Sequence, residues 1–189
     1  MIKIGILGDI GSGKSYVAKN FGYPVFNADL EVGKLYTKNK KIFNKLKKKL
    51  PKYIHSFPIE KKEITDAILA NRHNLKRIVK IVHLEVRKKM NIFLNKHKNK
   101  KIVVLDIPLL LENNINKKDD ILVFVKSNKS EILKRLKKRI NFNRKLLNKF
   151  IEIQFPADYK KKKSQFIIKN NFTKKSIKYG ISKILKEIL

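Results

Sequence analysis

Eight residues near the start of the chain, Gly8-Asp9-Ile10-Gly11-Ser12-Gly13-Lys14-Ser15, constrain the fold more tightly than any other stretch. Their pattern, glycine, four residues, then Gly-Lys-Ser, is that of a P-loop. Such a loop needs one local setting: an apolar strand delivers the chain into it and a helix leaves it, so that successive backbone N–H groups wrap a polyphosphate. Both flanks are present. Ile2-Lys3-Ile4-Gly5-Ile6-Leu7 reads as a buried strand, and helical patterning resumes at Lys14 and runs to about Phe21. Glycine is required because a side chain would block the approach of backbone to phosphate, and three of the chain's seven glycines lie in this loop. Gly11, Ser12, Gly13, Lys14, Ser15 and Tyr16 are the expected nucleotide-binding residues, with Lys14 against the outer phosphates and the Ser15 hydroxyl as a ligand of Mg²⁺.

The rest of the chain continues as strands alternating with helices. Pro24-Val25-Phe26-Asn27 reads as a second short strand, followed by a helical stretch through Tyr36. From about Lys38 to Lys98 the pattern is helical and basic, broken at Pro51 and Pro58, with Ile78, Val79, Val82, Val86 and Met90 at three-to-four spacing. Ile102 to Ile107 and Ile121 to Val125 are continuous apolar runs, as expected of parallel strands covered on both faces. Lys129 to about Lys163 is helical, Gln165 to Ile168 is a last strand, and Ser176 to Leu189 is a closing amphipathic helix. This order predicts an α/β fold, a parallel sheet flanked by helices in a single domain. Its core covers about 1–37, 101–128 and 164–189, with helical additions over about 38–100 and 129–163.

Two carboxylates stand where strands end. Asp106 closes the run from Ile102 and is placed to orient Mg²⁺, and Asp29 follows the second strand, where a carboxylate could accept the proton of an attacking hydroxyl or serve only as a strand-end residue.

Composition narrows the class by exclusion. Apolar residues make up 42% of the chain, yet no uninterrupted apolar run approaches the roughly 20 residues that span a bilayer. With no cysteine, thiolate metal sites and cysteine nucleophiles are ruled out. The first residues lead straight into the glycine-rich turn with no basic segment, apolar stretch and cleavage site, which predicts a cytosolic location. The net charge of +32 raises nucleic-acid binding as a rival function. Only six of the 47 basic residues are Arg, however, and the Lys are spread through nearly every segment rather than clustered.

Taken together, the P-loop, the Asn27-Ala28-Asp29 turn, His83-Leu84-Glu85-Val86-Arg87, Asp106-Ile107-Pro108-Leu109-Leu110-Leu111-Glu112, the Arg135 to Arg139 helix, and Gln154-x-Pro156-x-x-x-Lys160 followed by Ile168-Lys169-Asn170 resemble the dephospho-CoA kinase family in order and over essentially the whole chain. The resemblance implies a P-loop kinase core with a helical substrate lobe (about 38–100) and a helical lid (about 129–163). It implies transfer of the ATP γ-phosphate, with Mg²⁺, to the ribose 3′-hydroxyl of dephospho-CoA. Asp29 is then the base, Lys14 and Arg139 the catalytic cations with Arg135 and Arg144 as weaker candidates, Ser15 and Asp106 the metal ligands, and His83 and Arg87 the substrate contacts. The implied partners are ATP and dephospho-CoA, with no dedicated nucleic acid and no membrane, in a monomer or weak homo-oligomer. Several departures from the family pattern concern charge: Gly33 lies where an Arg is often found, with Lys34 beside it, Ile140 replaces an acidic or polar residue after Arg139, and Ser164-Gln165 replaces Ala-Asp. The turn usually written Asp-Ala-Asp begins with Asn27, and Asp9 stands in the loop where a second glycine is common. The alternatives are a P-loop kinase for another small molecule or nucleotide, and a nucleic-acid-binding protein on a kinase fold.

A diffuse lysine excess and a dedicated nucleic-acid surface differ in salt dependence. Binding through several phosphates falls with salt at a log–log slope of about 0.7 to 0.9 per phosphate contacted. Titration with labelled oligonucleotides should show weak binding that disappears near physiological salt. Binding that survives there with a sequence preference would establish the nucleic-acid reading.

Overall fold

The computed structural model describes residues 1–140 and 142–189. In chain order these form β1 (Ile2–Gly8), α1 (Lys14–Asn20), β2 (Val25–Asn27), α2 (Ala28–Lys38) and α3 (Lys40–Lys49). Then come α4 (Lys61–Ala70), α5 (Arg72–Lys96), β3 (Ile102–Asp106), β4 (Ile121–Lys126) and α6 (Lys129–Lys137). The chain ends with α7 (Arg144–Glu152), α8 (Ala157–Lys163), β5 (Phe166–Lys169) and α9 (Lys174–Ile188). It divides into two compact units: Met1–Asn27, His97–Phe142 and Gln154–Leu189 form the first, and Ala28–Lys96 with Asn143–Ile153 the second. Among the described residues no helix is long and apolar enough to cross a membrane.

The first unit is built on one parallel sheet of order β2-β3-β1-β4-β5. All five residues of β3 and the last five of β1 are buried, because helices and loops cover both faces, as the continuous apolar runs require. Side chains alternate between those faces. Ile4, Ile6, Ile102, Val104, Val123 and Val125 turn to one side, where Val17, Ala18 and Phe21 of α1 and Ile177, Ile181 and Ile184 of α9 meet them. On the other side packing is close enough that a Cβ on Gly5 would lie 2.5 Å from a Leu110 methyl and 2.9 Å from one of Leu122. Parallel strands set all their carboxyl ends along one edge, the usual ligand edge of open α/β sheets. The P-loop, Asn27, Asp106 and Asn170 gather there.

The second unit is helical. Leu75, Ile78, Val82 and Val86 form the buried stripe of the 25-residue α5, and α2, α3 and α4 pack on this helix while α7 packs on α4. Helix boundaries follow local chemistry. Leu50 ends α3 directly before Pro51, whose ring cannot continue a helix. The chain between 129 and 163 is not one helical piece but three helices. Asn128 and Asn143 start α6 and α7 by accepting from the amides of Ser130 and Leu146, and Pro156 starts α8. A further break at Asn71 separates α4 from α5.

One partly buried anchor in this unit has a perturbed carboxylate. The Glu63 carboxylate accepts from the backbone amides of His55, Ser56 and Glu60 at 2.7, 3.0 and 3.1 Å and from the Ser56 hydroxyl at 3.0 Å. It thereby closes a capping box with Glu60. Desolvation by itself raises the pKa of this group, but the four donors outweigh it and hold the pKa below the ordinary carboxylate value. A depressed folded-state pKa contributes stability that is present above the unfolded pKa and lost as pH falls through the folded one. Glu63→Gln should therefore cost about 1–2 kcal/mol at neutral pH. In denaturant titrations the gap to the parent chain should close on acidification, and a gap independent of pH would show that the charge is irrelevant.

Candidate active site

The loop between β1 and α1 has its shape set by what its carbonyl oxygens receive. The Ser12 carbonyl accepts from Ser127 Oγ at 2.9 Å and Asn170 Nδ2 at 2.8 Å, groups placed just beyond β4 and β5. The Gly8 carbonyl accepts from Lys14 Nζ at 3.1 Å and Lys160 Nζ at 3.4 Å, and the Asp9 carbonyl from Lys14 Nζ at 2.8 Å and the Ser12 amide at 3.1 Å. Two glycines are dictated by this packing. Gly13 has φ +89°, and a Cβ there would lie 2.5 Å from Asn170 Nδ2; on Gly8, φ +147°, it would lie 2.8 Å from the Val125 carbonyl. Gly11 and the fully buried Ser12 complete the loop, while Ser15 and Tyr16 are exposed on the first turn of α1.

Asp106, 3% exposed, ends β3 in register with Asn27 of β2. The Asn27 amide donates to Asp106 Oδ2 at 2.6 Å and so fixes the carboxylate plane. Asp106 and Ser15 offer oxygen only, the donor type a hard cation such as Mg²⁺ prefers, and the described residues contain no group of three or more His, Cys, Asp or Glu able to cage a metal. That donor set suits an ion held mainly by substrate phosphates.

A third element closes on the loop from α8. Glu112 Oε1 accepts from the Phe155 amide at 2.9 Å, Gln154 Oε1 accepts from Lys160 Nζ at 3.0 Å, and Lys160 is 2% exposed. Arg139 belongs to the same unit but lies past the end of α6, exposed, in a turn where its amide donates to the Leu136 carbonyl. The expected position on a helix is corrected because α6 stops at Lys137. Arg135, still on α6, lies over the Phe172 ring at 4.4 Å.

The remaining expected residues are in the second unit. Asp29 is exposed in the first turn of α2, two residues after Asn27, and Arg144 opens α7. His83 and Arg87 lie one turn apart in the middle of α5, the first half-buried and the second exposed. The sequence reading did not single out Ser127 or Phe172. The only signal for Ser127 was its place beyond a strand on the loop's edge of the sheet.

A phosphate loop leaving the central strand of a five-stranded parallel sheet, with an acidic residue ending the adjacent strand, is the arrangement of the P-loop kinases. Comparison narrows this class. The dephospho-CoA kinase family model matches residues 2–176. The dephospho-CoA kinase of Wolbachia sp. subsp. Brugia malayi is 32% identical over 190 residues, spanning 98% of this chain and 97% of its own. A crystal structure of a Thermus thermophilus protein superimposes with a TM-score of 0.79 at 25% identity, covering 100% of this chain and 98% of that one. The dephospho-CoA kinase structure from Campylobacter jejuni, at 22% identity, shares the fold with a TM-score of 0.61 over 98% of this chain and 96% of its own. The chain belongs to the dephospho-CoA kinase family.

His83 carries a testable electrostatic signature. Burial first, and the Arg87 charge second, hold its pKa below the ordinary histidine value, so the ring is neutral at physiological pH. Arg87→Met should move the His83 pKa upward without restoring it fully, because burial remains. Titration of the imidazole resonances by NMR reads this directly, and an unchanged pKa would mean that the Arg87 charge does not reach the ring.

Proposed function

We propose that this chain transfers the γ-phosphate of ATP to the ribose 3′-hydroxyl of dephospho-CoA, the last step of coenzyme A biosynthesis, in the cytosol. The observation that carries the reading is the family match over nearly the whole chain, P-loop included. The loop amides from Gly11 to Ser15, with the first turn of α1 at Tyr16, receive the ATP phosphates, and the Lys14 ammonium neutralises the outer ones. Its present bonds to the Gly8 and Asp9 carbonyls support this, since they hold the ammonium beside the loop. Ser15 and Asp106 would hold the Mg²⁺ that accompanies ATP, which supplies charge neutralisation at the phosphates.

Asp29 accepts the proton of the ribose hydroxyl as its oxygen attacks the γ-phosphorus. The bond to the β,γ-bridging oxygen breaks, and ADP leaves with that electron pair. Arg139 neutralises charge on the transferred group, and His83 and Arg87 contact the acceptor. The place of Asp29 in the chain supports its role. It follows by two residues the asparagine that orients Asp106, so the base is tied covalently to the strand edge that bears the metal-binding carboxylate.

A coupled assay of ADP release over a panel of acceptors tests the reading: turnover with dephospho-CoA, and none with shikimate or nucleoside monophosphates, is expected. In the same assay Asp29→Asn should retain ATP binding and lose about 10²- to 10⁴-fold in turnover, the usual worth of a general base. A loss below tenfold, with Asp106→Asn far worse, would leave Asp29 as a positioning residue only.

A further inference from the structure

Two lysine ammonium groups converge on one backbone oxygen of the phosphate loop. Lys14 Nζ and Lys160 Nζ both donate to the Gly8 carbonyl, at 3.1 and 3.4 Å. Lys14 is expected there from the motif. Lys160 arrives from α8, 152 residues away in sequence, and its side chain is 3% exposed. A buried ammonium needs both hydrogen-bond acceptors and a counter-charge. The acceptors are the Gly8 carbonyl and Gln154 Oε1. The counter-charge is Asp9, whose Oδ1 stands 3.8 Å away.

The pairing is lopsided. Lys160 is immobilised by burial and by two acceptors, whereas Asp9 has a side chain 37% exposed and approaches only to ion-pair distance, beyond hydrogen-bond length. The fixed partner is the cation, and the replaceable one is the anion. Two like charges held against one carbonyl repel each other, and a polyanion is the ligand that relieves the repulsion. A carboxylate in a phosphate loop is unfavourable for anion binding unless its charge is already engaged, and here Lys160 engages it.

We infer that Lys160 is a second phosphate-binding cation of this loop, and that Asp9 is its resident counter-ion, displaced when the nucleotide phosphates arrive. The inference rests on the reading of the loop as the ATP-phosphate site. Gln154 positions the ammonium, and Asp9 competes with the ligand for it. The acidic departure at position 9 therefore weakens ATP binding by competition and does not abolish it.

Calorimetric titration of the whole chain with ATP, and separately with inorganic tripolyphosphate, tests this in four variants. Lys160→Met keeps the buried stem and removes the charge, and should weaken both ligands by about tenfold or more, as expected for a charge-assisted contact. Asp9→Asn should tighten both by about threefold to tenfold, the gain from removing a competing charge at the binding surface. In the double variant that gain should largely vanish, because the competitor no longer has a cation to occupy. An equal gain in both backgrounds would mean that Asp9 acts on the phosphates directly, which overturns its assignment to Lys160. If Lys160→Met binds both ligands within twofold of the parent, the second-cation assignment falls. Should Lys160→Met fail to fold, Lys160→Gln takes its place in the same comparison, and unchanged or weaker tripolyphosphate binding by Asp9→Asn, whose side chain is partly exposed, overturns the proposal on its own. Lys14→Ala is the reference. If it too leaves both affinities unchanged, the loop is not the ATP site and both readings fail; if it alone weakens binding, only the present inference fails.

Discussion

The loop can present backbone amides to an anion only if its carbonyls are occupied elsewhere, and the Ser12 carbonyl is where that requirement is met most fully. A peptide unit has a donor and an acceptor pointing in opposite directions, so fixing one direction fixes the other. Ser127 and Asn170 hold the Ser12 carbonyl from two different strand ends. The parallel order makes this possible. With β1 beside β4, and β4 beside β5, the residues just beyond all three strands meet at one edge. Gly13 follows from the same contact, because the Asn170 amide occupies the space a Cβ would need. Sheet order, loop shape and glycine placement are thus one constraint seen at three scales.

Two distant segments are coupled to that edge by short-range chemistry. Pro156 starts α8, where a missing N–H costs nothing, and its carbonyl accepts the first helical bond from the Lys160 amide. That bond sets Lys160 one turn above the helix start, where its ammonium returns to Gln154 just before the proline. The Gln-x-Pro-x-x-x-Lys spacing is therefore a small mechanical unit: a helix start, a buried cation and the acceptor that aims it. Glu112 fastens the unit to the segment after β3 through the Phe155 amide. Two of the segments that carry the family resemblance in the sequence are joined by this hydrogen bond.

What was legible in the sequence divides along the range of the interactions. The five strands were readable because continuous runs such as Ile102 to Leu105 have no other soluble home than a sheet covered on both faces. The P-loop was readable because its glycines and lysine are local. The helical stretch after Lys129 was read too coarsely. Basic residues continue through Lys137, Lys138 and Arg139 and mask the end of α6, and the decisive signal, Asn143 capping α7, looks like any asparagine until the Leu146 amide is seen on it. Arg139 consequently came off the helix on which it had been placed. Ser127 and Phe172 were invisible for a different reason: Ser127 reaches Ser12 across 115 residues, and Arg135 finds Phe172 only through the fold. No window along the chain contains either pair.

Two of the departures from the family pattern, Asn27 and Asp9, are matched across the sheet edge. An aspartate at position 27 would press a second carboxylate against Asp106, and like charges at contact distance cannot both ionise without cost. Asn27 instead donates to Asp106 at 2.6 Å, keeping the shape of the pair while removing the repulsion. Asp9 adds a negative charge to the loop, and Lys160 lies within ion-pair distance of it. One substitution subtracts an anion where two would meet, and the other adds an anion where two cations meet. Each is intelligible only together with its partner, and each leaves the local balance of charge closer to neutral than the family pattern would in the same surroundings.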